Sequence, residues 1–477
     1  MASVSESFAC PATAPAGAAV GGDASDDPSA PQVPSGRPPV SSPTADSSRD
    51  ARRVPRRQRR LFTTGLGTIV GVALGIRVFY VLVVTRHENA KLYDDLYYLL
   101  QSYALSKGNF FPVFFGYGPD AAHPPLTSII ITPVTYFYNL PPGFTPQRLT
   151  MAVLGTVVVL LVGLLGRALA GPGVGLLAAA VAAVYPNMWI PNGIVMSETL
   201  TMLMMAFILL AVYRLLRAPT WTMAVLLGVA CGTEILVRAE LVLLVPFLLV
   251  PAALASLGAS WRRRIAFAAI GVLVAGLVVG PWVGRNLASF PDTTVFSTGQ
   301  GPLLLGANCP QTYYGPGLGT WSLQCSIKVP HAKDQSVEST RQYNAAKTYI
   351  KHHLGRLPVV ALARAGRVWD FYQPIQMVHV DVNEGRPVPA AFAGLLAYYA
   401  LLPFAALGIV ALRRRRVPVW PMLVVAALVT VIAVAGYGQV RFRAEFEVPL
   451  VVLAATGMMA TARRLFGRRD REPVAVT

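Results

Sequence analysis

The feature that most constrains this chain is a series of apolar, nearly uncharged runs, each long enough to cross a bilayer as a helix and most of them separated from the next by short polar stretches. They run about Phe62 to Val84, Leu149 to Ala168, Val174 to Ile190, Thr199 to Leu216, Trp221 to Val237, Leu241 to Leu257, Ile265 to Val283, Ala391 to Leu412, Val419 to Ala435 and Val448 to Ala462, about ten in all. Hydrocarbon offers no partner to backbone N–H and C=O groups, so runs of this kind must close their hydrogen bonds internally as helices. Composition points the same way: 54% of the 477 residues are hydrophobic and only 13% charged, too apolar for a soluble domain of this size. The chain reads as an all-α polytopic membrane protein.

The formal net charge of +18 would suit a nucleic-acid partner if the basic residues formed one face. They do not. "RRVPRRQRR", Arg262 to Arg264, Arg413 to Arg416 and "RRLFGRRDR" sit as short clusters between apolar runs, where arginines anchor helices and meet lipid headgroups on the cytoplasmic side. No nucleic-acid partner is expected. The stretch "PPLTSIIITPVTYFY", residues 124–138, is an eleventh candidate span, but it is short and contains Pro133. If it does not cross, every arginine cluster falls on one side; if it crosses, all clusters after the first move outside. The expectation is therefore about 10 to 11 transmembrane helices, with ten and both termini inside preferred.

This topology divides the chain into a disordered basic cytoplasmic tail over 1–60, a transmembrane module over 61–285 that includes a first outer loop at 85–148, an outer loop region at 286–390, C-terminal helices at 391–463 and a cytoplasmic tail at 464–477. The initial anchor is too long for a signal-peptide core and lacks a convincing cleavage site, so it is expected to be retained. In the second outer region, "STRQYNAAKTYIKHHLGRLPVVALARAGRVWDFY" reads as helical, its latter half apolar enough to lie on the membrane surface. Cys309 and Cys325 face a compartment that permits a disulfide, so they either pair or remain two thiols; Cys10 and Cys231 suggest no metal cluster.

A group of ionisable residues remains at the outer ends of spans: Arg148, Arg238, Arg285, Arg441 and Arg443, with His123 nearby. Acids share that side, with Asp94 and Asp95 in "KLYDDLYYLLQSYALSKGN", Glu198, Glu234, Glu240, Glu445 and Glu447. Charges at such depth are costly unless paired, so Glu240 is expected on Arg238 and Glu445 on Arg441 or Arg443. The adjacent aspartates open a helix-like run with Tyr97, Tyr98, Leu99 and Leu100. There they serve either as helix-start acids that suit the macrodipole or as a general base held at the interface opposite several cations. Asp94, Asp95, Glu198, His331, His352, His353 and His379 leave a divalent metal open, although none has strong ligand spacing. No Walker or Rossmann glycine pattern is present.

In this order the pieces resemble the GT-C membrane glycosyltransferases of the protein O-mannosyltransferase and lipid A aminoarabinose-transferase type. "DDLYYLLQSYALSKGN" is similar to that family's first outer loop and "AAHPPLTSIII" to its His-Pro-Pro-Leu or Lys-Pro-Pro-Leu element. "PQRLTMAVLGTVVVLLVGLLGRALAG", "VYPNMWIPNGIVMSETL", "LVRAELVLLVPFLL", "GPWVGRNLASF" and "RFRAEFEVPLVVLAA" follow in the usual order. The resemblance spans about Phe62 to Ala462; the motifs are individually weak and specific in sequence.

The resemblance implies a GT-C fold with interfacial helices in the outer loops and transfer of a sugar, mannose or a related one, from a polyprenyl-phosphate donor. The acceptor, a glycan, lipid or protein, lies outside the cytoplasm. Asp94 matches the catalytic acid; Asp95 stands where many members have Glu, which leaves open which of the two is the base. Tyr98 matches the aligned tyrosine, and Glu198 a second acid that in some relatives meets metal or acceptor. His123 matches the phosphate-facing position, and Arg148, Arg238, Arg285, Arg441 and Arg443 complete the candidates for the donor phosphate. No MIR-type repeat is visible, which puts a protein acceptor in doubt. The implied location is the plasma membrane, with the site facing outward. A transporter or flippase for a lipid-linked or anionic substrate is the rival reading, although no repeated halves with interrupted helices are apparent.

Overall fold

The computed structural model describes residues 56–88, 93–112 and 118–466. The expected disordered tail lies, as far as residue 55, outside the described residues, as do Cys10 and positions 467–477. Among the described residues there is no strand.

Six helices are long and apolar enough to cross a membrane: Arg60–Val84, Pro142–Ala170, Glu198–Arg217, Trp261–Ser289, Val388–Arg414 and Val440–Phe466. The pair Pro172–Val184 and Pro186–Gly193 passes the same test together but bends by 76°. Shorter apolar helices cover Leu126–Tyr138, Trp221–Val237, Ala239–Leu254 and Trp420–Ala435. All the runs expected to span are thus helical, and prolines explain why some are interrupted. Pro186 and Pro191 break the bent pair, and Pro246 and Pro251 lie in the irregular 239–254 stretch.

We label the elements that position the site α1 (Arg56–Phe79), α2 (Tyr93–Ser106), α3 (Leu126–Tyr138), α4 (Thr145–Ala170), α5 (Pro172–Val184), α6 (Glu198–Arg217), α7 (Trp221–Val237), α8 (Trp261–Ser289), α9 (Gln335–His352), α10 (Leu357–Val368), α11 (Pro374–Asn383), α12 (Val388–Arg414), α13 (Trp420–Ala435) and α14 (Ala444–Phe466). Helices α12 and α14 pack most closely, because a Cβ on Gly408 or Gly457 would lie 1.9 Å from a facing backbone carbonyl, that of Leu453 or Phe404. Small residues at such a crossing let backbones approach and gain dispersion contacts that lipid cannot match. α14 runs through the middle of the core, with Leu450 to Ala455 all buried.

Contacts at the helix ends show that the arginine clusters gather at one end of the bundle. Arg167 lies over the Phe62 ring at 4.3 Å, Arg217 donates to the Ala168 carbonyl at 2.6 Å, and Arg415 donates to that of Ala170 at 3.1 Å. Arg264 donates to Leu254 and Ala259, while Leu257 is bonded to Leu216. Arg217, Arg264 and Arg415 meet carbonyls at or near a helix C-terminus, a favourable position for a cation.

At the opposite end, α2 and α3 pair through Ser102 and Thr135, 3.1 Å apart, and Gln147 at the head of α4 donates to Thr135 and to the Asn139 carbonyl. The next residue, Arg148, donates to the carbonyl of Thr85, just after α1. The C-terminal end of residues 124–138 therefore lies where the first span finishes and α4 begins.

The second loop region builds a small helical layer. α9 is capped by Asp334, whose carboxylate accepts from the N–H groups of Ser336 and Val337. α10 follows after a short break and leaves Val359 and Leu362 exposed. Cys309 and Cys325 are joined in a disulfide. One buried charge went unread in the sequence: Arg77 in α1 is fully buried and donates to the carbonyls of Ala73, Ala182, Ala183 and Met188. It satisfies acceptors released where α5 breaks, which is why a charge is tolerated there.

Candidate active site

Asp94 and Asp95 occupy the first turn of α2. Neighbours on a helix point about 100° apart, so the two carboxylates enter different surroundings. Asp94 is the reachable one, its side chain 23% exposed. Its Oδ1 lies 3.2 Å from His123 Nε2, and its Oδ2 accepts from Arg441 Nη2 at 2.9 Å. Asp95 is only 2% exposed, where its Oδ1 has no hydrogen-bond partner. It is held by the backbone N–H of Val195 and the field of Arg148.

The same contrast governs their acidity. Burial favours the neutral acid in both. At Asp94 the charges and hydrogen bonds of His123 and Arg441 outweigh it and hold the carboxyl well below the usual range. At Asp95 burial wins, with the Asp94 charge adding to it against Arg148 and Val195, and the pKa is pushed up to about 7.

Arg441 is the hub. Besides Asp94, its Nε lies 3.0 Å from Glu198 Oε1 and its Nη1 lies 3.9 Å from Glu384 Oε1. Glu198 is the first residue of α6, and Glu384 closes α11. One guanidinium thus ties together the first loop region, a spanning helix and the second loop region. His123 is fixed by rings on α2, with centroids 4.9 Å from Tyr97 and 5.3 Å from Tyr98. The Tyr98 hydroxyl is raised above its ordinary pKa, by burial first and then by the Asp94 charge.

The other candidates separate into distinct roles. Arg238 donates to Glu445 at 2.9 Å, lies 3.2 Å from Glu240, and reaches the Arg441 carbonyl at 3.4 Å, one step behind the hub. Arg148 stands behind Asp95, joined to it by its field and bonded to Thr85. Arg285 donates to the carbonyls of Asp120 and Phe111, so its charge holds backbone and meets no acid in an ion pair among the described residues. Arg443 is fully buried, paired with Asp370 at 2.8 Å and Glu447 at 3.0 Å, and lies 3.6 Å from the centre of the Tyr398 ring.

Glu240 on Arg238 is the pair expected, but Glu445 is a correction: its partner is Arg238, neither Arg441 nor Arg443. The reason is local. Residues 440–443 form a tight 3-10 turn in which positions two apart face away from each other, so Arg441 turns to Asp94 and Arg443 to Asp370. Glu234 is buried and in no ion pair among the described residues; it lies near Thr201.

Sequence reasoning missed Asp370, Asp381, Glu384 and Arg386. All lie in the loop region around α11, where Arg386 donates to Asp381 at 3.1 Å. A faint signal was available in "DVNEGRP", which clusters charges just before a spanning run. Glu198, Glu384 and Arg386 line a narrow cleft with Pro191, Ile194 and Met196 on its apolar side. Among the described residues no three His, Cys, Asp or Glu side chains converge as a metal would require. Asp94, Glu198 and Glu384 meet on a guanidinium instead.

Residues 122–284 match the family model described as dolichyl-phosphate-mannose-protein mannosyltransferase. The structure is similar to that of the oligosaccharyltransferase of Archaeoglobus fulgidus tethered with an acceptor peptide, with 16% identity, a TM-score of 0.50 and coverage of 85% of this chain and 51% of the other. It is also similar to that of ArnT from Cupriavidus metallidurans bound to undecaprenyl phosphate, with 17% identity, a TM-score of 0.38 and coverage of 86% and 82%. No curated protein sequence matches. The chain spans about half the length of the archaeal protein it matches, 51%. At this identity the likeness is one of fold: the chain shares the helical GT-C fold of the archaeal structure.

Proposed function

We propose that the protein transfers a sugar, mannose or a related one, from a polyprenyl-phosphate donor to an acceptor hydroxyl outside the cytoplasm, with inversion at the anomeric carbon. The observation that carries this reading is Asp94: a partly exposed carboxylate held between His123 and Arg441 at the end of the bundle away from the arginine clusters. By the positive-inside rule that end faces outward across the plasma membrane. The mannosyltransferase family match and the neighbour bound to undecaprenyl phosphate agree with a lipid-linked donor.

A sugar leaving from phosphate needs little acid help, unlike a glycoside whose alkoxide must be protonated. One base and a set of cations suffice. Asp94 accepts the hydrogen bond of the acceptor hydroxyl and takes its proton as the new glycosidic bond forms. His123 and Arg441 face the phosphate and neutralise the charge that grows on it as the C–O bond to the sugar breaks. His123 and Arg441 hold Asp94 too acidic to be a strong base; a phosphate that draws on both cations returns basicity to Asp94 as the donor binds. Asp95 is better matched in pKa, but geometry comes first and it has no access to a hydroxyl. Glu198 and Tyr98 flank Asp94 on the acceptor side.

The test is sugar transfer by purified protein in nanodiscs, offered a panel of polyprenyl-phosphate sugars and nucleotide sugars with glycan and lipid acceptors. Transfer from a lipid-linked donor with an inverted product, lost in Asp94→Asn with donor binding retained, is the expected result. A retained configuration, or turnover with nucleotide sugars alone, overturns it.

A further inference from the structure

We infer that Glu384 is a displaceable internal anion: its carboxylate stands on the edge of Arg441 that a lipid phosphate must use, so donor and Glu384 compete for one guanidinium. This inference rests on the donor reading above. A guanidinium offers a planar fork of five N–H donors with defined edges, and at Arg441 each nitrogen already faces a carboxylate. Nη2 donates to Asp94 at 2.9 Å, Nε lies 3.0 Å from Glu198, and Nη1 lies 3.9 Å from Glu384. A phosphate that approaches Arg441 along its Nη1 edge meets the Glu384 carboxylate there and competes with it for the same charge.

Glu384 is the acid placed to yield. Its contact is the longest of the three, beyond hydrogen-bonding reach. Asp94 and Glu198 are fixed in the first turns of helices, whereas Glu384 lies in the turn after α11. The next residue, Gly385, has φ +94°, a left-handed conformation that favours glycine. Glu384 also lies in the wall of the cleft faced by Pro191, Ile194 and Met196, an apolar side suited to the first isoprene units behind a headgroup. Arg386, two residues on and paired with Asp381, enters the same cleft and adds a second cation beside the vacated edge.

The groups facing Glu384 are Arg441 and Gln439 from the 440 turn, Asp381 and Arg386 from its own connection, Glu198 from α6, and the Tyr437 hydroxyl through its field. Burial raises its pKa most; Asp381 and Glu198 add to the rise, and Arg441 and Arg386 oppose it. A proton on Glu384 removes the competing charge, so donor affinity should rise as pH falls. The movement involves no covalent step: Glu384 gives up its contact with Arg441 and the hydrogen bond it accepts from Gln439, the donor phosphate takes the Arg441 contact, and the released carboxylate takes up a proton.

The experiment measures binding of undecaprenyl-phosphate-linked mannose, a phosphodiester whose charge is constant across the range, to the full chain in neutral-lipid nanodiscs from about pH 6 to pH 9. Native protein is expected to bind more tightly at the acid end. Glu384→Gln should bind about tenfold more tightly than native at the alkaline end and show a shallower pH dependence, while Glu240→Gln, whose partner is Arg238, behaves as native. Affinity unchanged or weakened in a folded Glu384→Gln overturns the competition and leaves the donor reading standing. If that variant does not fold, the native pH profile decides alone: an affinity flat with pH, or rising toward alkaline pH, overturns it. Native protein that binds no lipid-linked sugar at any pH overturns the donor reading and this inference with it. Inorganic phosphate binding as tightly as the lipid would overturn the assignment to a lipid headgroup.

Discussion

Arg441 and Arg443 stand two residues apart, and their surroundings differ in kind. Arg443 is wholly buried, with Asp370 and Glu447 at hydrogen-bond distance and the Tyr398 ring against its face. Arg441 meets three acids, one of them at 3.9 Å, and touches an aspartate that solvent reaches. Two short, desolvated pairs make a lock that costs folding free energy to break. Three acids on one partly open cation make a site whose charge is rearranged by whatever arrives. On the proposed reading the same residue type has a structural part in one neighbourhood and a chemical one in the other, and burial with contact length separates the two.

The largest expected effect lies on the Arg441 side. Asp94→Asn should lower sugar transfer by about 10²- to 10⁴-fold, the range for a lost general base, with the unfolding temperature nearly unchanged; a parallel loss of folding would erase the distinction drawn here. On the Arg443 side the balance should invert. Asp370→Ala leaves a buried guanidinium short of one partner and should destabilise the fold by about 3–5 kcal/mol, seen as a lower unfolding midpoint in detergent. Normal stability with selective loss of transfer would move Arg443 into the catalytic group.

A smaller effect concerns pH. Asp95 holds its proton more firmly folded than unfolded, since its pKa is raised to about 7. Its contribution to stability is therefore full below the unfolded carboxylate range and is lost as pH rises through about 7. Asp95→Asn should reduce the fall in unfolding temperature between about pH 5 and pH 8, by differential scanning of the nanodisc-embedded protein. An unaltered profile would mean that Asp95 is charged throughout. Least affected should be Arg285→Gln. Its donors go to the Phe111 and Asp120 carbonyls, so a loss of about 1–3 kcal/mol in stability is expected with donor affinity at the native value. Weaker binding of lipid-linked sugar would return Arg285 to the phosphate site.

Much of this was legible in sequence because the solvent constrains it. Hydrocarbon permits few structures, so apolar runs became helices at their expected places, and the arginine clusters gathered at one end. The acidic pair, His123, Glu198 and Arg441 were legible as charges left at the other end. What could not be read was pairing. The partner of Glu445 depended on which way a 3-10 turn rotates Arg441 and Arg443, and Glu384 lies 57 positions before Arg441 in a loop region without a strong pattern.

The sequence alone determined that the chain is a helical membrane protein, which end carries the cations, and which residue types are available for chemistry there. Periodicity and burial in lipid are local requirements, satisfied residue by residue along the chain. Only the tertiary structure decided that Asp94 is open and Asp95 buried, that Arg441 rather than Arg443 meets Asp94, and that Glu384 stands on its remaining edge. Those outcomes depend on distances of a few ångströms between segments far apart in sequence, and Coulomb and desolvation energies change steeply over such distances.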